Sequence, residues 1–166
     1  MKINVKHKEL ILFTLQFIIT IVAFLLAYTK CVESTNSQPA EYINYMMDFL
    51  KLPKPLCILR ICIHNYLLSL LQAIFSFFSF GIFGIWFLFS TFSTYGFVFK
   101  YTNDLFLFLE MLGTIISIYF STSLSFNILH DGVKIQHYSR KIVGYFIINF
   151  IVFFIAACLE GNIIFG

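Results

Sequence analysis

Between Leu56 and Phe99 the chain runs for 44 residues with almost nothing but apolar side chains, Arg60 and His64 being the only charged or imidazole groups. A helix needs roughly 20 apolar residues to cross a bilayer. This run therefore holds two crossings back to back. Three more runs of spanning length lie elsewhere, and the whole predicts an all-α fold. It is a polytopic membrane helix bundle with five transmembrane helices, at 10–28, 56–79, 82–99, 105–128 and 142–160. A loop at 29–55 and a loop at 129–141 join them.

Of 166 residues, 60% are hydrophobic and 11% charged, so no soluble domain fits beside the spans. The longest loop is too short for a core of its own. A net charge of +3, scattered along the chain, excludes a nucleic-acid partner. Phe, Ile, Asn, Lys and Tyr are abundant, and their A/T-rich codons point to a low-GC bacterium. The four cysteines, Cys31, Cys57, Cys62 and Cys158, read as small buried hydrophobes rather than a disulfide framework. Lys2, Lys6 and Lys8 precede an apolar run longer than a signal peptide's, so the first span is expected to stay as an anchor.

Lys2, Lys6 and Lys8 ahead of the first span, and Lys134, Arg140 and Lys141 between the fourth and fifth, fall on one side of a five-span protein. The positive-inside rule makes that side the cytoplasm. The N-terminus is then inside and the C-terminus outside, with a tight turn near Gly81 and Gly84 inside as well. The loop 29–55 is outside. Within it Ile43, Met46, Met47 and Leu50 repeat at helical spacing, opposite Glu41, Asn44, Asp48 and Lys51. Pro39 and Pro53 bound this segment, and Tyr42 and Tyr45 suit a helix lying on the outer leaflet or covering the bundle.

Four spans carry a stripe of small or polar residues three and four apart. They are Gln16, Thr20, Ala23 and Ala27; Asn65, Ser69, Gln72, Ser76 and Ser79; Glu110, Thr114, Ser117, Ser121 and Ser125 with Gly113 alongside; and Asn149, Ala156 and Glu160. Lipid tails are as apolar as leucine, so helices associate in lipid through close backbone approach and interhelical hydrogen bonds. The stripes are expected to be packing seams, and a hydrated polar path would use the same residues.

The strongly polar residues gather toward the outer face: Arg60, His64 and Asn65 in the second span, Glu110 in the fourth and Glu160 at the end of the fifth. An ionised group in hydrocarbon costs several kcal/mol unless it pairs or reaches water, which makes it a functional-site hypothesis. Arg60 is expected to pair with Glu110, with Glu160 or His64 completing the network. The alternative is independent snorkelling of Arg60 and Glu160 to the headgroups.

From about Leu56 to the end, roughly two-thirds of the chain, the residues resemble the stage II sporulation protein M family. Asn65 follows a short apolar run as in that family, and Gly81, Gly84 and Gly96 resemble its glycines. Glu110 falls where the family has a glutamate after His-Gly, although Phe106 and Leu107 stand at the His-Gly positions here. Ile155-Ala156-Ala157-Cys158-Leu159-Glu160 resembles the family's terminal Ile-Ala-Ala-x-x-Glu. The resemblance implies a non-enzymatic role. The family includes a scaffold for peptidoglycan hydrolases in spore engulfment and shorter proteins that accompany ABC exporters in bacteriocin clusters. The missing His-Gly favours the second branch.

No sequence pattern for catalysis stands out. There is no His-Glu-x-x-His, no glycine-rich phosphate loop before a lysine, and Asp48, Asp104 and Asp131 all lie off the centres of the spans. His130 and His137 fit a solvated basic loop, able to meet anionic headgroups through Lys134, Arg140 and Lys141. The expectation is a non-catalytic accessory or scaffold subunit of an envelope or peptide-export complex in the bacterial cytoplasmic membrane, with no cofactor or metal. Its partners would be the bilayer, other membrane proteins such as an ABC-type exporter, an extracellular peptide, and a second copy of itself. The rival readings are an engulfment scaffold and a small transporter that uses the Arg60–Glu110–Glu160 cluster.

Overall fold

The structure, a computed structural model, describes residues 5–33, 51–102, 105–131 and 135–165. Five helices account for nearly all of them: α1 (Val5–Glu33), α2 (Lys54–Phe78), α3 (Ile82–Thr102), α4 (Leu105–Asp131) and α5 (Ile135–Phe165). Among the described residues there is no strand. The amphipathic segment expected around Ile43–Leu50 lies outside them.

Four helices hold an apolar stretch long enough to cross a membrane: Leu10–Thr29, Lys54–Phe78, Leu105–Leu129 and Tyr138–Phe165. The fifth, α3, has 21 residues and is apolar from Ile82 to Phe99 by sequence. At 1.5 Å per residue that helix is about 31 Å long, close to the thickness of the hydrocarbon core. The chain is a multi-pass membrane bundle.

The helices outrun the hydropathy limits. α4 continues to Asp131 and α5 begins at Ile135, so most of the expected 129–141 loop is helical. Hydropathy locates the edge of the hydrocarbon, whereas a helix stops only where its backbone is interrupted. Here that leaves only residues 132–134, beginning at Gly132, between the two helices.

α2, α4 and α5 pack on one another as a three-helix core. α3 leans on α2 and α4, and α1 packs chiefly along α3, touching α4 lightly. Two apolar clusters hold this arrangement. Cys57, Ile61 and Cys62 of α2 meet Ala157 of α5 near one end. Ala23 of α1, Leu88 and Phe92 of α3 and Ile118 of α4 join the other three helices. Cys57, Cys62 and Cys158 are free thiols.

α2 starts at Pro53, whose carbonyl accepts from Leu56 and Cys57, and Pro55 in the first turn has no amide to lose. It ends in a Schellman motif: the Gly81 amide donates to the Ser76 carbonyl at 2.8 Å and the Phe80 amide to the Phe77 carbonyl at 3.3 Å. Phe80 has φ 52° and Gly81 φ 88°. The Ser79 hydroxyl then accepts from the Phe83 amide at 3.0 Å and starts α3. A side chain on Gly81 would sit 2.7 Å from the Thr122 methyl of α4, so this turn is pressed against the bundle.

Candidate functional site: a carboxylate pocket at one end of the bundle

At the end opposite that turn, the start of α2, the end of α3, the start of α4 and the end of α5 converge. Asn65, Thr94, Tyr95, Glu110 and Glu160, with Phe106 and Leu107, line a cavity of about 170 Å³. Both carboxyl groups are turned inward, Glu110 at 5% exposure and Glu160 at 8%. The Asn65 amide donates to a Glu110 oxygen. The Tyr95 hydroxyl also donates to Glu110 and itself receives from Thr114. Glu160 lies close enough for its charge to act on Glu110.

Helical phase explains which residues arrive there. Asn65 follows Arg60 by five residues, about 140° around the helix. Asn65 therefore faces the bundle with Ile61, Cys62 and Ser69, while Arg60 and His64 share the exposed face of α2. The Asn65 amide is hydrogen-bonded to the Glu110 carboxyl group. Arg60 remains near the site, since it and Glu160 both lie within electrostatic range of Cys57. The structure thus gathers Asn65, Glu110 and Glu160 around the cavity, keeps Arg60 beside it, and turns His64 outward.

Tyr95 and Thr94 are the residues that sequence reading missed. In the third span only the glycines Gly84 and Gly96 read as seam residues, because its aromatic composition hides any polar stripe. The available signal was a tyrosine inside an apolar run, whose hydroxyl needs a partner when removed from water.

Below the pocket the stripes meet as a ladder of hydrogen bonds. Asn149, fully buried on α5, donates to Ser69 of α2 at 3.0 Å and to Ser117 of α4 at 2.9 Å. Gln72 of α2 donates to Thr91 of α3 at 3.1 Å. Ser76 of α2 meets Thr122 of α4 at 3.0 Å, and Gln16 of α1 reaches the same hydroxyl at 3.4 Å. Thr122 spends its proton on the Ile118 carbonyl, so Ser76 is the donor of that pair. Thr20, Ala23, Ser121, Ser125 and Ala156 are buried as well. Gly84 and Gly113 lie where helices touch, the first against Ser76 and Ile118, the second against the Phe153 ring. Gly96 backs onto the Phe24 carbonyl of α1.

Fold and site together define a class: a small multi-pass membrane protein with a polar seam and a pocket walled by two buried carboxyl groups. Among the described residues no three His, Cys, Asp or Glu side chains are grouped to hold a metal ion. No family model, curated protein or solved structure matches the chain.

Proposed function

We propose that the chain is a non-catalytic accessory subunit of a peptide-export or envelope complex in a bacterial cytoplasmic membrane, of the kind found in the bacteriocin-associated branch of the family it resembles. With the N-terminus inside, the pocket opens toward the exterior. The observation that carries the reading is the cavity walled by Glu110 and Glu160 at the membrane's edge. Glu110, at 5% exposure, is withdrawn from water, and a carboxyl group there is costly unless something offsets it. A cavity of that lining takes a positively charged group, such as the terminal amine or a lysine of a peptide leaving the cell. Tyr95 and Asn65 hold Glu110 in place for it, and the aromatic and aliphatic walls exclude competing water.

The test is affinity isolation from native membranes combined with a secretion or immunity assay. The expected result is a stable complex with an ATPase-bearing exporter, and a loss of about tenfold or more in secretion or immunity for Glu110→Gln at unchanged membrane level. A protein that purifies alone, with full cellular activity in the Glu110→Gln variant, overturns the reading.

The hydrogen-bond ladder favours a second reading, a small transporter that moves protons or a monovalent cation from the pocket along the seam. Gln72 Oε1 and Asn149 Oδ1 on that seam are buried without a hydrogen-bond partner. Flux by the purified protein in liposomes, abolished by Glu110→Gln, would support this reading over the first.

A further inference from the structure

The two ends of the bundle differ, and the end away from the pocket carries a feature that the proposed function does not use. Gly144 of α5 is open: a side chain added there would meet nothing within 4 Å. At each of the other described glycines tested, an added side chain would press on a neighbouring helix. Gly144 forms the floor of a groove of about 390 Å³ between α4 and α5, walled by Ile116, Tyr119, Phe120 and Ile148 and closed at one end by Lys141. Phe120 and Tyr145 stack across the two helices, centroids 4.3 Å apart and planes 4° from parallel, and so hold the groove's shape. A second apolar groove, of about 240 Å³, lies on the other side of the same stacked pair, against Ile74 and Phe78 of α2.

We infer that this groove is a binding site for one anionic phospholipid, with an acyl chain over Gly144 and the headgroup phosphate on Lys141 and Arg140. The slot from Lys141 to Ile148 runs two helical turns, roughly 10 Å, along the direction in which lipid chains lie. Its charged end is where the apolar span begins, so a phosphate at headgroup depth meets the Lys141 ammonium. Lys141 and Arg140 are both exposed there. The groove faces lipid in a multi-pass bundle, and the mouth selects among lipids by charge. Basic residues near a membrane surface favour anionic headgroups by about fivefold each.

The experiment is native mass spectrometry of the full chain released from nanodiscs, with phosphatidylglycerol and phosphatidylcholine of identical chains as probes. The expected result is retained phosphatidylglycerol at about tenfold or greater preference. Arg140→Gln with Lys141→Gln is expected to erase the preference. Gly144→Leu, which has room to fold, is expected to reduce retention of both lipids by filling the slot. Equal retention of the two lipids by the wild-type chain overturns the inference, as does a preference that survives loss of both basic residues. Equal affinity for glycerol phosphate without chains also overturns it. So does a dimer that Gly144→Leu dissociates, because the groove would then hold a second copy of the chain.

Discussion

The orientation of Asn149 shows how few choices a buried amide has. The Ser69 hydroxyl donates to the Tyr66 carbonyl at 3.0 Å and the Ser117 hydroxyl to the Gly113 carbonyl at 2.8 Å. Both serines have spent their only proton, so each offers Asn149 lone pairs alone. The amide nitrogen must point at them, and Oδ1 is left over without a partner. An apolar residue at 149 strands no donor and removes that orphan. Asn149→Leu is therefore expected to change stability by less than about 1 kcal/mol, in line with the modest worth of interhelical hydrogen bonds in membranes. Asn65 presents the opposite case, because its amide donates to a buried carboxyl group. Asn65→Leu leaves Glu110 under-satisfied and is expected to cost about 2 kcal/mol, since orphaned polar groups are expensive. Unfolding both variants by denaturant titration in bicelles measures the contrast. Equal losses would mean that proton bookkeeping does not govern this seam.

Among the described residues, the α2–α3 turn is the one with stored backbone strain. Phe80 holds a left-handed conformation that non-glycine residues adopt at a cost of about 1 kcal/mol. Its ring is 42% exposed and meets the Phe126 ring of α4 at 6.1 Å, a contact that offsets only part of that cost. Phe80→Gly is thus expected to be neutral or stabilising by up to about 1 kcal/mol. Gly81→Ala combines φ 88° with a clash at Thr122 and is expected to destabilise by about 2 kcal/mol. The same unfolding assay separates them, and an order reversed between the two would contradict the geometry. At this scale the sequence was informative about position and less so about mechanism. The apolar run and Gly81 marked the turn. That Phe80 rather than a glycine would take the first left-handed position, and that Gly84 would serve helix contact inside α3, depends on how tightly α4 presses on the turn. Tertiary packing of that kind leaves no trace in local propensity.

The whole bundle was legible because lipid permits so few solutions: backbone groups in hydrocarbon must be satisfied within a helix. The number of helices, the polar stripes and the end at which Glu110, Asn65 and Glu160 gather follow from counting residues along rods. Which rods touch does not follow from it. The pocket needed the register of α3 against α4 to bring Tyr95 to Glu110, and that register is set by contacts such as Gly84 of α3 on Ile118 of α4, while Gly113 of α4 seats on Phe153 of α5. Gly113→Leu is accordingly expected to push α4 from α5 and to cost about 3 kcal/mol, more than Gly144→Leu, where space is free. The orientation of the molecule makes a separate prediction. A single cysteine at residue 133, in a background lacking the native four, is expected to resist a membrane-impermeant maleimide in intact cells and to react after lysis. Labelling from outside would turn the pocket toward the cytoplasm.

One consequence follows from the hydrogen-bond ladder beneath the pocket. Its hydroxyls and amides are largely engaged with one another, and Leu88, Phe92 and Ile118 stand beside them in a dry cluster. Two acceptors on it, Gln72 Oε1 and Asn149 Oδ1, are idle, but its donors are taken, so on the proposed reading a visitor seated between the two acids departs through the mouth by which it came. On that reading the chamber is a cup rather than a straw, and its natural observable is a dissociation rate.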